Sequence, residues 1–330
     1  FLLLSLVAIS TCLFISLSQA ELCHPQDKRA LLQIKKSFGD PYMLSSWTKN
    51  SECCHDWFTI ECDPTTNRVV TLAIVKGQIS GVIPPEVGDL PYLTELIFHK
   101  LSNVTGPIQP AIAKLKNLES LTLDWLNLTG PIPPFLGKLK NLSYINLAYN
   151  KLSGSIPSEL GSLRNLGLFL SRNNLTGSIP SSLAYAFQQL IPLNPPAYVD
   201  LSHNQLTGRI PASFNYINFT SIDLSRNKLE GDVSMLFGQN KTIESVDLNR
   251  NHLEFNLSEL VFGSRFTFLD IDHNMVYGSI PSRLTELPMQ GLNVSYNRLC
   301  GQIPVGGQLQ SFDIYNYLHN KCLCGAPLPA

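Results

Sequence analysis

Asp200, Ser202 and His203 supply a carboxylate, a nucleophile and a base, the residue types of acyl-transfer chemistry. Their spacing argues against that chemistry. Within four residues a chain cannot set a nucleophile against a base and the base against an orienting acid. The same slots are also refilled as Asp223, Ser225 and Arg226, and again as Asp270, Asp272 and His273. A pattern that recurs with changing residue types is architecture. The sequence carries no phosphate-binding glycine loop, no paired-histidine metal motif and no nucleophile elbow. The reading is a binding protein, not an enzyme, with no cofactor and no metal.

Cysteines are the other reactive group. Seven of the eight fall into two sets, Cys23, Cys53, Cys54 and Cys62, then Cys300, Cys322 and Cys324; Cys12 lies in the leading apolar stretch. Such clusters at two ends of a chain fit disulfide staples in an oxidising compartment. Zinc is the competing use, but adjacent Cys53 and Cys54 make poor ligand spacing. Seven is odd, so Cys324 is either free or paired with a cysteine beyond Ala330.

Between the two sets a repeat organises the chain. From about residue 69 to 304 the pattern L-x-x-L-x-L-x-x-N-x-L-x-G-x-I-P recurs, most clearly as Leu142, Ile145, Leu147, Asn150, Leu152, Gly154, Ile156 and Pro157. Anchored on its glycine, it gives Gly81, Gly106, Gly130, Gly154, Gly177, Gly208, Gly231, Gly278 and Gly301, with Phe255 standing in once. Steps are 23 to 25 residues, with one of 31. These are ten leucine-rich repeats of plant type. In L-x-L the two apolar residues point one way from a short strand. One repeat cannot bury that face alone, so copies stack on a shared core. The fold class is an α/β leucine-rich-repeat solenoid with a parallel concave sheet and a disulfide cap at each end. Asn150, Asn173, Asn204, Asn227, Asn251, Asn274 and Asn297 form a ladder that satisfies turn backbone; Gly77, Ser102 or Asn103, and Leu126 replace it in the first three copies. The fifth copy has lost a residue between Leu166 and Leu168. The long step after it predicts a loop or short helix on the convex side between 181 and 197.

Around the two core leucines three columns are expected to face solvent on the concave side, where solenoids bind partners. The column between the leucines ends in Phe169, Asp200, Asp223, Asp247, Asp270 and Asn293. The next holds Ser202, Ser225, Asn249 and Asp272. The third holds Trp125, Tyr149, Arg172, His203, Arg226, Arg250, His273 and Tyr296. Strands lie about 5 Å apart, so neighbouring aspartates repel by about 1–3 kcal/mol each at a surface dielectric. That stripe fits either a basic partner or local bonding by each Asp, with Arg226 and Arg250 near enough to offset part of the charge. Trp125, Tyr149 and Phe169 are large aromatics off the core face, a common composition for interface anchors.

The ends differ from the middle. Residues 1–20 are apolar, uncharged and end in Ser18-Gln19-Ala20, which reads as a secretory signal cleaved after Ala20. Residues 21–68 form an N-terminal cap, with a helix from Asp27 as N-cap through Phe38 and with Trp47 and Trp57 closing the core. Residues 305–330 close the other end. Only 15% of residues are charged and the net charge is −1, which gives no electrostatic reason to expect nucleic acid, and no further segment is long and apolar enough for a membrane. Eight N-x-S/T sequons occur, at Asn103, Asn127, Asn141, Asn174, Asn218, Asn240, Asn256 and Asn293. Asn127 and Asn174, placed on convex turns, are the better candidates for glycosylation; Asn293, in the concave column, is expected bare, or the binding face ends before it.

With repeat and caps in hand, the sequence resembles the polygalacturonase-inhibiting proteins of plant cell walls. The residues that carry this are Cys23, the run Ala30 to Lys35, Cys53-Cys54, the stretch Val87 to Leu93, Leu229-Glu230-Gly231-Asp232, and above all the close from Tyr317 to Pro329. The resemblance implies pairs Cys23–Cys53, Cys54–Cys62 and Cys300–Cys322. It implies a secreted cell-wall monomer that inhibits fungal endopolygalacturonases through its concave face, with cell-wall pectin as a further partner. Clefts that bind an acidic polymer tend to be basic, which suits the acidic column. A carrot antifreeze protein shares the repeat and the close, so ice binding is the rival reading, and recognition of an extracellular peptide or receptor is a third.

Overall fold

A computed structural model describes residues 23–188 and 197–329. The signal expected in residues 1–20 lies outside these. The L-x-L segments become short strands, for example Ser120–Asp124, Tyr144–Asn146, Ser221 to Asp223 within Phe219–Asp223, and Ser245–Asp247. Eleven strands form one sheet in chain order, parallel throughout except that the cap strand Ile60–Cys62 pairs antiparallel with Val69–Val75 at its edge. Register keeps core residue against core residue: Leu96 beside Leu121, Leu121 beside Ile145, Ile222 beside Val246, Val246 beside Leu269. Each of these is fully buried, so a slip by one residue would expose a whole row.

A second sheet was not anticipated. Eight short parallel strands, among them Asn103–Gly106, Asn127–Pro131, Lys151–Gly154 and Asn174–Gly177, run along the flank where the repeat's L-x-G segment leaves the first sheet. Beyond them short 3-10 helices such as Pro134–Lys138 and Ser158–Ser162 carry the convex side. These helices pack tightly: a Cβ on Gly137 would lie 2.1 Å from the Glu159 carbonyl oxygen of the next repeat.

Between the sheets runs the asparagine ladder. Asn227 is typical: Nδ2 donates to the carbonyls of Leu201, Leu224 and Ser225 at 3.0, 3.1 and 3.2 Å, and Oδ1 accepts from the Leu206 amide at 2.9 Å. One side chain thus saturates four buried backbone groups across two repeats. The ladder extends to Asn320 of the C-terminal cap, whose Nδ2 reaches the Val294 carbonyl and whose Oδ1 takes the Leu299 amide. The cap therefore begins as one more repeat. At the other end Gly77 fills a ladder position, with the thioether of Met43 packed over it.

The residue before each ladder position is left-handed. Lys76, Lys100, Trp125, Tyr149, Arg172, His203, Arg226, Arg250, His273, Tyr296 and His319 have φ between 50° and 60°. Such a conformation costs a non-glycine residue about 1 kcal/mol, and the solenoid imposes it at every turn.

The irregular copies are absorbed locally. Leu168 stays in register with Ile145, while Asn165 just before it turns to φ 51°. After the fifth copy a short helix, Leu183–Phe187, replaces a 3-10 helix; Phe187 sits in a buried cluster with Phe214 and Phe219 at centroid distances of 5.8 Å. Residues 189–196 of that expected loop lie outside the described set.

The three disulfides implied by resemblance are present, Cys23–Cys53, Cys54–Cys62 and Cys300–Cys322, and Cys324 is unpaired and exposed. Cys23, Cys53, Cys54 and Glu52 gather closely, but these sulfurs are already bonded and offer no thiolate. The first helix, Pro25–Ser37, is capped by His24, not Asp27. Pro25 takes the first helical position, and Asp27 is buried as partner of Arg68, at 2.7 and 2.8 Å, and of the Val69 amide at 3.0 Å. Trp47 and Trp57 stack at 5.1 Å beneath that helix.

Candidate functional site

The concave strands present four columns, and the structure sorts them differently from the sequence reading. The column between the core leucines is half-buried along its whole length, including Phe169, Asp200, Asp223, Asp247 and Asp270. The column after the second leucine was expected to face solvent; instead Asp124, Ala148, Ser171, Ser202, Ser225, Asp272 and Ser295 are buried. The left-handed residue that follows breaks the strand alternation, so this position folds inward and mostly takes small side chains. Asp124 and Asp272 are larger exceptions: Asp124 Oδ1 lies 2.7 Å from His99 Nδ1, and Asp272 Oδ2 lies 2.8 Å from His273 Nδ1.

The third column is the exposed edge. Trp125 and Tyr149 stack face to face at 3.6 Å, with Lys100 over the Trp125 ring at 5.5 Å and Arg172 over Tyr149 at 5.1 Å. Four successive repeats so form one cation–aromatic stack, in which each side chain holds its neighbour's rotamer. Trp125 is still 42% exposed. Further along, His273, Tyr296 and His319 stack at 4.0 and 4.1 Å. Between the two stacks stand His203, Arg226 and Arg250. Burial, then the charges of Arg172 and Arg226, hold the His203 imidazole below its usual range.

Sequence reasoning missed a fourth column, two residues before the first. Tyr144 and Tyr198 lie there, 37% and 41% exposed, with Gly167 between them in register with Tyr144. Phe169 leans against Tyr144 at 5.3 Å. The period-2 alternation of a strand would have found them. Trp125, Tyr149, Tyr144 and Phe169 together make the aromatic half of the face.

The acidic half is built by local bonds. Asp200 Oδ1 accepts from the Ser202 amide at 3.0 Å and its hydroxyl at 2.7 Å; Asp223, Asp247 and Asp270 accept from the amides two residues on, of Ser225, Asn249 and Asp272. Asn249 Nδ2 also reaches Asp247 Oδ1 at 2.8 Å and Asp270 Oδ2 at 3.4 Å, bridging two repeats. Arg226 and Arg250 make no ion pair with this column among the described residues. Each Asp therefore serves its own turn, while its charge is left facing its neighbours' charges. Burial and then Asp223 push the Asp247 carboxyl up to about 7, with Asp270 and Asp272 adding to it. Asp223 and Asp270 are raised as well, chiefly by burial. Ser202 gives its hydroxyl to Asp200 and His203 bonds to neither, so no catalytic relay is assembled there.

The sequons fall on flanks. Asn103, Asn127 and Asn174 begin strands of the second sheet, which corrects the convex placement of Asn127 and Asn174. Asn141, Asn218 and Asn240 are exposed on the opposite side, ahead of the concave strands. Asn256 caps a 3-10 helix through the Ser258 amide and holds Glu259 at 2.8 Å. Asn293 spends its Oδ1 on Ser295. Among the described residues, no helix is long and apolar enough to cross a membrane.

A leucine-rich-repeat N-terminal domain matches residues 24–63, and Leucine Rich Repeat units match 117–139, 141–163, 167–186 and 197–217. Over 311 residues the chain is 61% identical to a polygalacturonase inhibitor of Pyrus communis, covering 94% of this chain and 92% of that one. It is 58% identical over 324 residues to polygalacturonase inhibitor 1 of Arabidopsis thaliana, covering 97% and 94%. Among solved structures, a plant ice-binding protein matches with a TM-score of 0.89 and 46% identity over 93% of this chain and 97% of that one. The ectodomain of the plant receptor kinase GASSHO1/SCHENGEN3 matches at 0.73 and 31% identity, over 84% of this chain but 33% of that one.

Proposed function

Because this chain belongs to the polygalacturonase-inhibitor family of leucine-rich-repeat proteins, we propose that it is a secreted plant cell-wall protein that binds and inhibits fungal endopolygalacturonases. The observation that carries this is identity of 61% sustained over 94% of the chain with a protein of that name. The concave face is the binding surface in this reading. The stack of Trp125 and Tyr149 is its anchor, being aromatic, exposed and already ordered, so little rotamer freedom is lost on docking. The acidic half, from Asp200 to Asp270, faces the basic margin of a cleft shaped for a polyanion. His203, Arg226 and Arg250 line the edge between the two stacks and, with Arg172 at the end of the first, add hydrogen-bond donors there. The test is inhibition of a panel of fungal endopolygalacturonases by the purified protein and its Trp125→Ala form. Inhibition that weakens at least tenfold in the variant supports the face; no inhibition across the panel removes the reading.

One observation favours a second reading. Thr105, Thr129, Ser153, Thr176 and Thr207 repeat as an exposed hydroxyl column on the second sheet, and a plant ice-binding protein shares the fold across nearly its whole length. Ice-recrystallisation inhibition that is abolished by Thr129→Leu and Thr176→Leu would establish it, while leaving polygalacturonase inhibition untouched.

A further inference from the structure

On the flank opposite the second sheet, ahead of the first concave strands, lies an open groove of about 450 Å³. Polar side chains of Asp63, Thr94, Asn117 and Glu119 line it together with Val70 and the ring of Tyr92. Tyr92 is 46% exposed, and the Arg68 guanidinium lies 4.1 Å from its ring centroid. Arg68 is itself locked by Asp27, so the ring is a fixed platform. Asn141, the first residue of the sequon Asn141-Leu142-Ser143, also lines the groove. Asn117 and Asn141 hold equivalent places in successive repeats and bond alike, Asn117 Nδ2 to the Pro91 carbonyl at 2.9 Å and Asn141 Nδ2 to the Lys116 carbonyl at 3.3 Å. Tyr92, Asn117 and Asn141 therefore step across three repeats at strand spacing, about 5 Å each.

We propose that Asn141 carries an N-linked glycan whose first sugars lie in this groove against the face of Tyr92. Attachment displaces the diphosphate from a polyprenyl-diphosphate-linked oligosaccharide. The sugar C1–N bond to Asn141 Nδ2 forms, the C1–O bond breaks with its electron pair leaving on the diphosphate, and one amide proton passes to a base of the transferase. The remaining amide hydrogen still serves the Lys116 carbonyl, so the bond that orients Asn141 survives and fixes the direction in which the sugar leaves. The groove supplies what a sugar chain needs. An aromatic face meets the apolar face of a pyranose, and the carboxylates of Asp63 and Glu119 and the carbonyl of Asn117 accept from sugar hydroxyls. A glycan seated here lies along the rim of repeats one to four, opposite the rim that bears Trp125, and leaves the aromatic edge open.

The protein is produced in a glycosylating eukaryotic host. Peptide mass spectrometry reports occupancy at Asn141, and the rate of endoglycosidase release at that site is followed in the native and the denatured protein. Docking predicts that native Asn141 glycan is released roughly tenfold more slowly than after denaturation, the factor that about 1.4 kcal/mol of docking produces, and that Tyr92→Ala removes most of this protection. A matched thermal melt checks that the variant is folded; if it is not, Glu119→Gln with Asn117→Ala takes its place. An unoccupied Asn141 overturns the proposal. So does a glycan released as fast from the native as from the denatured protein, or protection that the groove variants leave unchanged.

Discussion

The two halves of the concave face solve the same stacking problem in opposite ways. In the aromatic half each repeat supports the next: Lys100, Trp125, Tyr149 and Arg172 attract across the strand gap and lock one another. In the acidic half each repeat supports mainly itself, apart from Asn249, which reaches Asp270 of the next copy. Asp200, Asp223, Asp247 and Asp270 each close a turn within their own copy, and across the gap they repel. One half is thus rigid by cooperation, and the other is held by the backbone against its own charge. That difference gives the aromatic half a geometry that is set in advance. The acidic half is a surface whose charge depends on pH.

The comparison rests first on the ladder beneath both halves. Asn227→Leu leaves the buried Leu206 amide without its acceptor and takes one of two donors from the carbonyls of Leu201, Leu224 and Ser225. It is expected to lower unfolding free energy by about 2–3 kcal/mol, read as a fall in the thermal midpoint, and a change under about 1 kcal/mol would mean that the repeats are held by leucine packing alone. Next comes the anchor. Trp125→Ala removes the centre of the stack and should weaken inhibition by about 2 kcal/mol, some thirtyfold, with Tyr149→Ala less than additive because the two rings share one contact. Additive losses would show two independent contacts instead of a cooperative stack.

A third test separates the halves by pH. The folded-state carboxyl of Asp247 lies near 7, above the ordinary value of 3.8. The folded chain therefore holds this proton more tightly than the unfolded chain does, and stability is lost as pH rises from about 4 to 7. Asp247→Asn is expected to stabilise by about 1–2 kcal/mol at pH 8, an allowance for solvent screening included, and to have little effect at pH 4. Trp125→Ala should show no such pH dependence. The smallest effect belongs to Arg226→Gln: the side chain is exposed and makes no ion pair, so stability should move by less than about 0.5 kcal/mol, while the salt dependence of association changes measurably.

Much of this was legible in the sequence because a repeat is its own alignment. Leu142, Ile145, Leu147 and Asn150 announce strand, core face and ladder at once, and the disulfide pairs followed from the resemblance of the caps. Three things were hidden for physical reasons. The second sheet escaped because its strands bury at most one residue each, such as Leu128 or Leu175, too little for a period to show. The inward turn of Ser202, Ser225 and Asp272 depends on the left-handed residue after them, and the types found there, tryptophan, arginine and histidine, do not advertise that conformation. Asp27 looked like a helix cap because its better use, the side chain of Arg68, lies 41 residues away.

That left-handed column has one more consequence. The conformation at Lys76, Trp125, Arg172 or His273 is dictated by the repeat around it and not by the residue that adopts it. Any side chain placed there leaves the backbone in the same direction and at the same pitch. The column therefore behaves like a row of type slugs in a fixed tray: a lineage can exchange letters one at a time, aromatic for cation or imidazole, and change what the edge spells without moving the line.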